Sequence, residues 1–189
     1  MEPTLPSRLA APVEAYLALL DRWNRTHALT SLEPEARFEE LILDSAVLLP
    51  FLDRVPKGAA VVDFGTGMGI PAVVLALARP DLTVHAVDKA HKKIAFVRQV
   101  ALELGLTNLR PSVGRAEALP PLGAALGVAK AVGTLELLLG WWQRHGLSGA
   151  PFLALKAGAE VPPAGWTAVS HPYHLPTRGD RQVVELRPA

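Results

Sequence analysis

Ala59-Ala60-Val61-Val62-Asp63-Phe64-Gly65-Thr66-Gly67-Met68-Gly69 runs from an unbroken apolar segment into three glycines at alternate positions, after which Ile70 to Ala78 is apolar nearly all round. A short apolar run without polar alternation fits a strand covered on both faces, and closely spaced glycines mark a tight turn, so the segment predicts strand, glycine turn and buried helix. Leu82-Thr83-Val84-His85-Ala86-Val87 predicts a second strand ending at Asp88. Ala90, Ile94, Val97, Ala101 and Leu104 follow at helical spacing, with Gly105 as the stop.

Further strands are predicted at 109–113, 127–132 and 152–156, with a helix over 135–144. Trp166-Thr167-Ala168-Val169 and Gln182-Val183-Val184-Glu185-Leu186 pair as a terminal hairpin, which places His171, Pro172, Tyr173 and His174 in a loop. The alternation implies a mainly parallel seven-stranded sheet with a C-terminal antiparallel hairpin, helices on both faces and a ligand crevice at the C-terminal ends of the strands. Upstream, Val13, Tyr16, Leu17, Leu20 and Trp23 repeat at three- and four-residue steps behind Pro12. Phe38, Leu41, Ile42, Ser45, Leu48 and Leu49 form a second helical pattern expected to stop near Pro50. Residues 1–56 thus read as a helical extension and 57–189 as the main domain.

Composition narrows the chemistry. The 189 residues are 50% hydrophobic and 20% charged, which excludes a disordered tail or a heptad rod. There is no cysteine, and with it go disulfides, thiolate metal sites and a cysteine nucleophile. No basic leader with an apolar core opens the chain, and no apolar run reaches about 18 residues; a soluble, cytoplasmic protein is expected. The net charge of +1 hides an asymmetry. Residues 1–53 hold nine acids against four bases, whereas residues 85–115 hold six bases against two acids.

A dinucleotide fingerprint wants a small residue in the sixth place of G-x-G-x-x-G, but here Ile70 occupies it. Asp63, two residues before the first glycine, suits a ligand carrying an ammonium and a sulfonium better than a pyrophosphate, and S-adenosyl-L-methionine is such a ligand. Asp88 is placed to accept hydrogen bonds from ribose hydroxyls. Methyl transfer needs chiefly alignment. Pyrimidine C5 methylation usually uses a cysteine, and Ala131-Val132-Gly133-Thr134 lacks the Asp/Asn-Pro-Pro-aromatic pattern of exocyclic-amine enzymes. A nucleophile with a free lone pair, such as guanine N7, remains. His171 and His174 are the only histidine spacing considered for a metal, and no metal is expected. Trp141-Trp142 and Tyr173 are weighed as stacking platforms, the tryptophans mainly as packing.

Trp23-Asn24-Arg25, Leu29-Thr30-Ser31, Ile42-Leu43-Asp44-Ser45, the glycine turn with Pro71, Asp88 with Lys92-Lys93, Gly114-Arg115-Ala116-Glu117, Ala154-Leu155-Lys156 and Gly179-Asp180-Arg181 together resemble, in order, the bacterial guanine-N7 methyltransferases of 16S ribosomal RNA, also called glucose-inhibited division protein B. The resemblance implies a Rossmann-like class I S-adenosylmethionine-dependent methyltransferase fold. The donor would be held by Asp63, Gly65, Thr66, Gly67, Gly69, Asp88, Ala116 and Glu117. RNA contact would fall to Arg115, Lys130, Lys156, Arg178 and Arg181, and the partner would be 16S ribosomal RNA or the small ribosomal subunit, met by a monomer. The chain departs from that family at Ala28 (usually Asn), Glu40-Leu41 (Arg-His), Lys130 (Arg) and Gln182 (His). Glu40 for Arg would oppose phosphate binding if that position faces RNA. A donor-binding relative without RNA methylation and a small-molecule methyltransferase stay open as alternatives.

Overall fold

Strand β1 (Ala60–Phe64) is buried from its second residue onward, because the sheet it belongs to is covered on both faces. The computed structural model describes residues 3–158 and 160–189. β2 (Thr83–Asp88) and β3 (Leu109–Val113) extend the sheet in parallel on one side of β1; β4 (Ala124–Lys130) and β5 (Phe152–Lys156) extend it in parallel on the other. β6 (Trp166–Leu175) and β7 (Gly179–Pro188) close it as an antiparallel hairpin, with β7 inserted against β5 to give the order β3-β2-β1-β4-β5-β7-β6. The strand order reverses between β1 and β4, and a crevice opens at the C-terminal ends of these strands and β2.

Helices α1 (Ala10–His27), α2 (Pro34–Arg37), α3 (Asp44–Ala46) and α4 (Leu49–Leu52) precede the sheet. α5 (Ala72–Ala78), α6 (His91–Glu103) and α7 (Leu135–His145) connect its strands. Val13, Tyr16, Leu20, Ile42 and Leu48 from the N-terminal helices join the same core as Val73 and Leu75 of α5 and Phe96 and Val97 of α6, so the extension is packed into the sheet's covering layer. The opposite face is filled by Leu135, Leu138, Leu139 and Trp142 of α7 against Phe64 and Phe152.

Four local expectations need correction. The second helical pattern is not one helix: Phe38–Leu43 is π-helical between α2 and α3, the chain then turns, and Pro50 sits in the first turn of α4, where its missing N–H costs nothing. Phe38 accordingly leaves the apolar face and is 43% exposed. β4 spans 124–130 rather than 127–132, and Ala131 ends it by turning to φ +54°. The hairpin is twice the expected length and takes in residues 171–174; Pro172 is tolerated because β6 is the edge strand.

Candidate functional site

The glycine turn forms the crevice floor. Gly65, Gly67 and Gly69 all have positive φ, and at two of them space forbids a side chain: a Cβ on Gly65 would lie 2.4 Å from Val132 Cγ2 and one on Gly69 2.9 Å from Val73 Cγ2. The turn is tied to β2 by the Gly65 and Thr66 N–H groups, which donate to the Val87 carbonyl at 2.8 and 3.0 Å. From above, the Tyr16 hydroxyl donates to the Met68 carbonyl at 3.1 Å, a role invisible in a residue that sequence periodicity assigned to the core.

Asp63 lies under this turn, fully buried. Its Oδ2 accepts from Thr66 Oγ1 at 2.5 Å and from the Ala72 N–H at 3.1 Å, whereas Oδ1 is buried without a hydrogen-bond partner. Burial pushes its pKa up to about 7 against the lowering pull of the Thr66 and Ala72 bonds. The sequence reading set this carboxylate in the crevice beside a ligand; the structure sets it behind the loop, outside the crevice lining. Asp63 therefore braces the turn from behind through Thr66 and Ala72, and its unpartnered Oδ1 stays shut off from the crevice.

Asp88 lines the crevice, a cavity of about 750 Å³. Its Oδ2 accepts from the Gly67 N–H at 2.9 Å and its Oδ1 from the Ala90 N–H at 2.8 Å. Each oxygen keeps a second lone pair, enough for two vicinal hydroxyls. Ala116 and Glu117 line the same wall. Ala116 is held by its carbonyl, which accepts from His145 Nε2 at 2.8 Å; His145 is fully buried and went unnoticed in the sequence. Arg115 stands on the rim, 3.8 Å from Glu117, with both side chains exposed.

The opposite lip is organised by a residue that sequence reasoning did not single out. Asp44 is buried; its Oδ1 accepts from Tyr173 Oη at 2.6 Å, and it forms ion pairs with Lys130 Nζ at 2.9 Å and with Arg181, whose Nε lies 3.3 Å away but makes no hydrogen bond. Burial first, and the Asp44 carboxylate second, push the Tyr173 hydroxyl above the ordinary phenol range. Burial pulls Lys130 down, opposed by Asp44. Lys130 also donates to the Glu40 carbonyl, the Glu40 carboxylate pairs with Arg178, and Glu39 Oε1 accepts the Thr177 N–H at 2.7 Å. The one available signal was an acid embedded in the apolar pattern Ile42-Leu43-Asp44-Ser45-Ala46.

Of the five residues expected on the RNA side, Arg115 and Lys130 line the crevice, whereas Lys156, Arg178 and Arg181 do not. Lys156 pairs with Glu160 at 2.9 Å and donates to the Gly133 carbonyl at 3.2 Å. Glu40 lines the crevice with its carboxylate paired to Arg178. Tyr173 is no stacking platform; it is a buried β6 residue serving Asp44. His171 and His174 point to Glu185 and Asp180, and the described residues contain no group of three metal-ligating side chains. Trp141 borders the crevice and leans on Phe64, while Trp142 is core. No helix among the described residues is long and apolar enough to cross a membrane.

Comparison with known proteins bears on the family and the fold. Residues 10–162 match the family model of small-subunit rRNA methyltransferase G, GidB. A small-subunit ribosomal RNA methyltransferase G from Serratia proteamaculans is 38% identical over 81% of this chain and 74% of its own length. The Bordetella petrii protein of that name is 39% identical over 75% of this chain and 57% of its own length. Among solved structures, a SAM-dependent methyltransferase from Aquifex aeolicus superposes with a TM-score of 0.61 at 17% identity, covering 82% of this chain and 93% of that one, which speaks to the fold.

Proposed function

Since the chain belongs to the small-subunit ribosomal RNA methyltransferase G family, we propose that it transfers a methyl group from S-adenosylmethionine to N7 of a guanine in 16S ribosomal RNA. The observation that carries this reading is the Asp88 carboxylate, aimed into a crevice over a glycine turn that tolerates no side chain at Gly65. Bound there, S-adenosylmethionine would supply an electrophilic methyl on a sulfonium sulfur.

The chain's own residues have two tasks. Asp88 offers its free lone pairs to a ribose, and the wall at Ala116 and Glu117 faces the adjoining purine. Asp63 acts from behind the turn, holding Thr66 and the Ala72 N–H that begins α5. On the acceptor side, Leu41, Lys130 and Trp141 border the space a flat base would enter. A guanine N7 carries a free lone pair and no proton to lose, so accepting the donor's methyl would ask the chain for no general base. The site therefore has to hold and align rather than move a proton. Residues 1–56 serve as the helical extension that walls the acceptor side of the domain at 57–189, and the protein works as a cytoplasmic monomer.

The test is to incubate methyl-labelled donor with small-subunit RNA from cells lacking N7 methylation, as naked RNA and as assembled subunits, and to digest to nucleosides. Label in 7-methylguanosine is expected from one of the two substrates. Label elsewhere, or none from either, overturns the assignment.

A further inference from the structure

Whether a basic side chain is free to hold a phosphate depends on what already neutralises it. Around this crevice the cations fall into two classes. Lys130 and Arg181 share buried Asp44, Arg178 is taken by Glu40 and Lys156 by Glu160. On the β2–β3 side the crevice rim carries Lys89, Lys93 and Arg115. Lys89 and Lys93 have no carboxylate partner among the described residues. Arg115 has only the long, exposed contact to Glu117, a kind of pair worth little in water. The Lys93 ammonium stands 3.9 Å from where a Cβ of Gly67 would be, so this charge overhangs the crevice mouth. Neighbouring Lys92 is turned away, donating to the His27 carbonyl at 2.9 Å.

Resting on the RNA-methyltransferase reading, we propose that the target RNA lays its phosphate backbone across the β2–β3 rim, on Lys89, Lys93 and Arg115, and not on the Lys130, Arg178, Arg181 and Lys156 set. Unpaired cations release condensed counterions when they meet phosphate, whereas Lys130 and Arg181 gain little and would leave buried Asp44 unpaired, and Arg178 and Lys156 are already partly neutralised by Glu40 and Glu160. The base to be methylated then reaches over the rim into the crevice while the strand stays on the surface. Half of the bases over residues 85–115, Lys89, Lys93 and Arg115, thereby acquire a common location at the rim.

The experiment measures binding of the full chain to a 16S ribosomal RNA transcript across a salt series, with methyl transfer to undermethylated small-subunit RNA scored in parallel. Lys89→Ala and Arg115→Ala should each weaken binding and lower the slope of log affinity against log salt by about 1. Lys57→Ala, an exposed cation remote from the crevice, and Arg178→Ala should leave the slope within about 0.3 of the parent. If the parent methylates RNA and the rim variants keep its slope, or if Arg178→Ala lowers the slope as much as they do, the rim is wrong and the enzyme assignment stands. If the rim variants lower the slope but the parent transfers no methyl group, the surface stands and the assignment falls. A parent that does not bind the transcript overturns both.

Discussion

The two lips of the crevice use positive charge in opposite ways. On the lip made by the π-helical segment, α3 and the C-terminal hairpin, Lys130, Arg178 and Arg181 are spent on Glu40 and Asp44 and hold the chain's two ends together. On the lip made by the ends of β2 and β3, exposed Lys89 and half-buried Lys93 have no carboxylate partner among the described residues, and Arg115 has only its long contact to Glu117. A basic residue near a site is therefore not by itself a contact for an anion. On the first lip the cations are architecture, and on the second they are available for binding.

Breaking the first lip should have the largest effect. Asp44→Ala removes the buried carboxylate that half-buried Lys130 and Arg181 share and leaves Tyr173 without its acceptor, and should cost about 3 kcal/mol in denaturant unfolding. Asp44→Asn keeps an acceptor for Tyr173 and should cost less. A loss below about 1 kcal/mol for the alanine variant would mean that this lip is held by something else.

Between the lips, Asp63 makes stability depend on pH. Its folded-state pKa is raised to about 7 from an ordinary 3.8, so the stability it contributes is complete below about pH 4 and is lost as pH rises through 7. The ligand-free protein should lose a few kcal/mol over that interval from this group. Asp63→Asn should flatten that part of the profile and raise Tm at pH 8. An unchanged profile in the variant would remove Asp63 as its source.

The smallest effect concerns the seam where the lips meet. Ala28 ends α1 at φ +45°, in the left-handed region where asparagine and glycine are at ease, and its carbonyl lies 3.5 Å from Lys92 Nζ. Ala28→Gly should stabilise the protein by about 0.5–1 kcal/mol, read from the denaturation midpoint, and leave the salt dependence of RNA binding unchanged. A loss of stability would show that the turn is not strained. On this view the departure from asparagine at position 28 concerns backbone conformation and not the substrate.

What the sequence disclosed follows from where the forces are local. The β1–α5–β2–α6 unit was legible because its hydrophobic periods and glycines act within a few residues, and Asp63 and Asp88 were found by their spacing from Gly65. The π-helical turn was not, since the apolar positions of 38–49 fit an ordinary helix equally well. The Asp44 cluster was illegible for a different reason. It exists only because β7 inserts beside β5 and brings Arg181 and Tyr173 to a helix well over a hundred residues earlier. Without that placement, Lys130, Arg178 and Arg181 look like free cations, and the sequence reading gave them to the RNA. The same placement explains Glu40: a charge reversal that reads as an obstacle to phosphate is the counter-ion of Arg178.

The most direct test of the whole account is a calorimetric titration of S-adenosylmethionine into the intact protein and into Asp88→Ala. Two charge-assisted hydrogen bonds are at stake, so saturable one-to-one binding to the parent, weakened roughly 100-fold by the substitution, is the expected result. Absence of saturable heat from the parent, or equal affinity in the variant, would contradict the assignment of the crevice to the methyl donor.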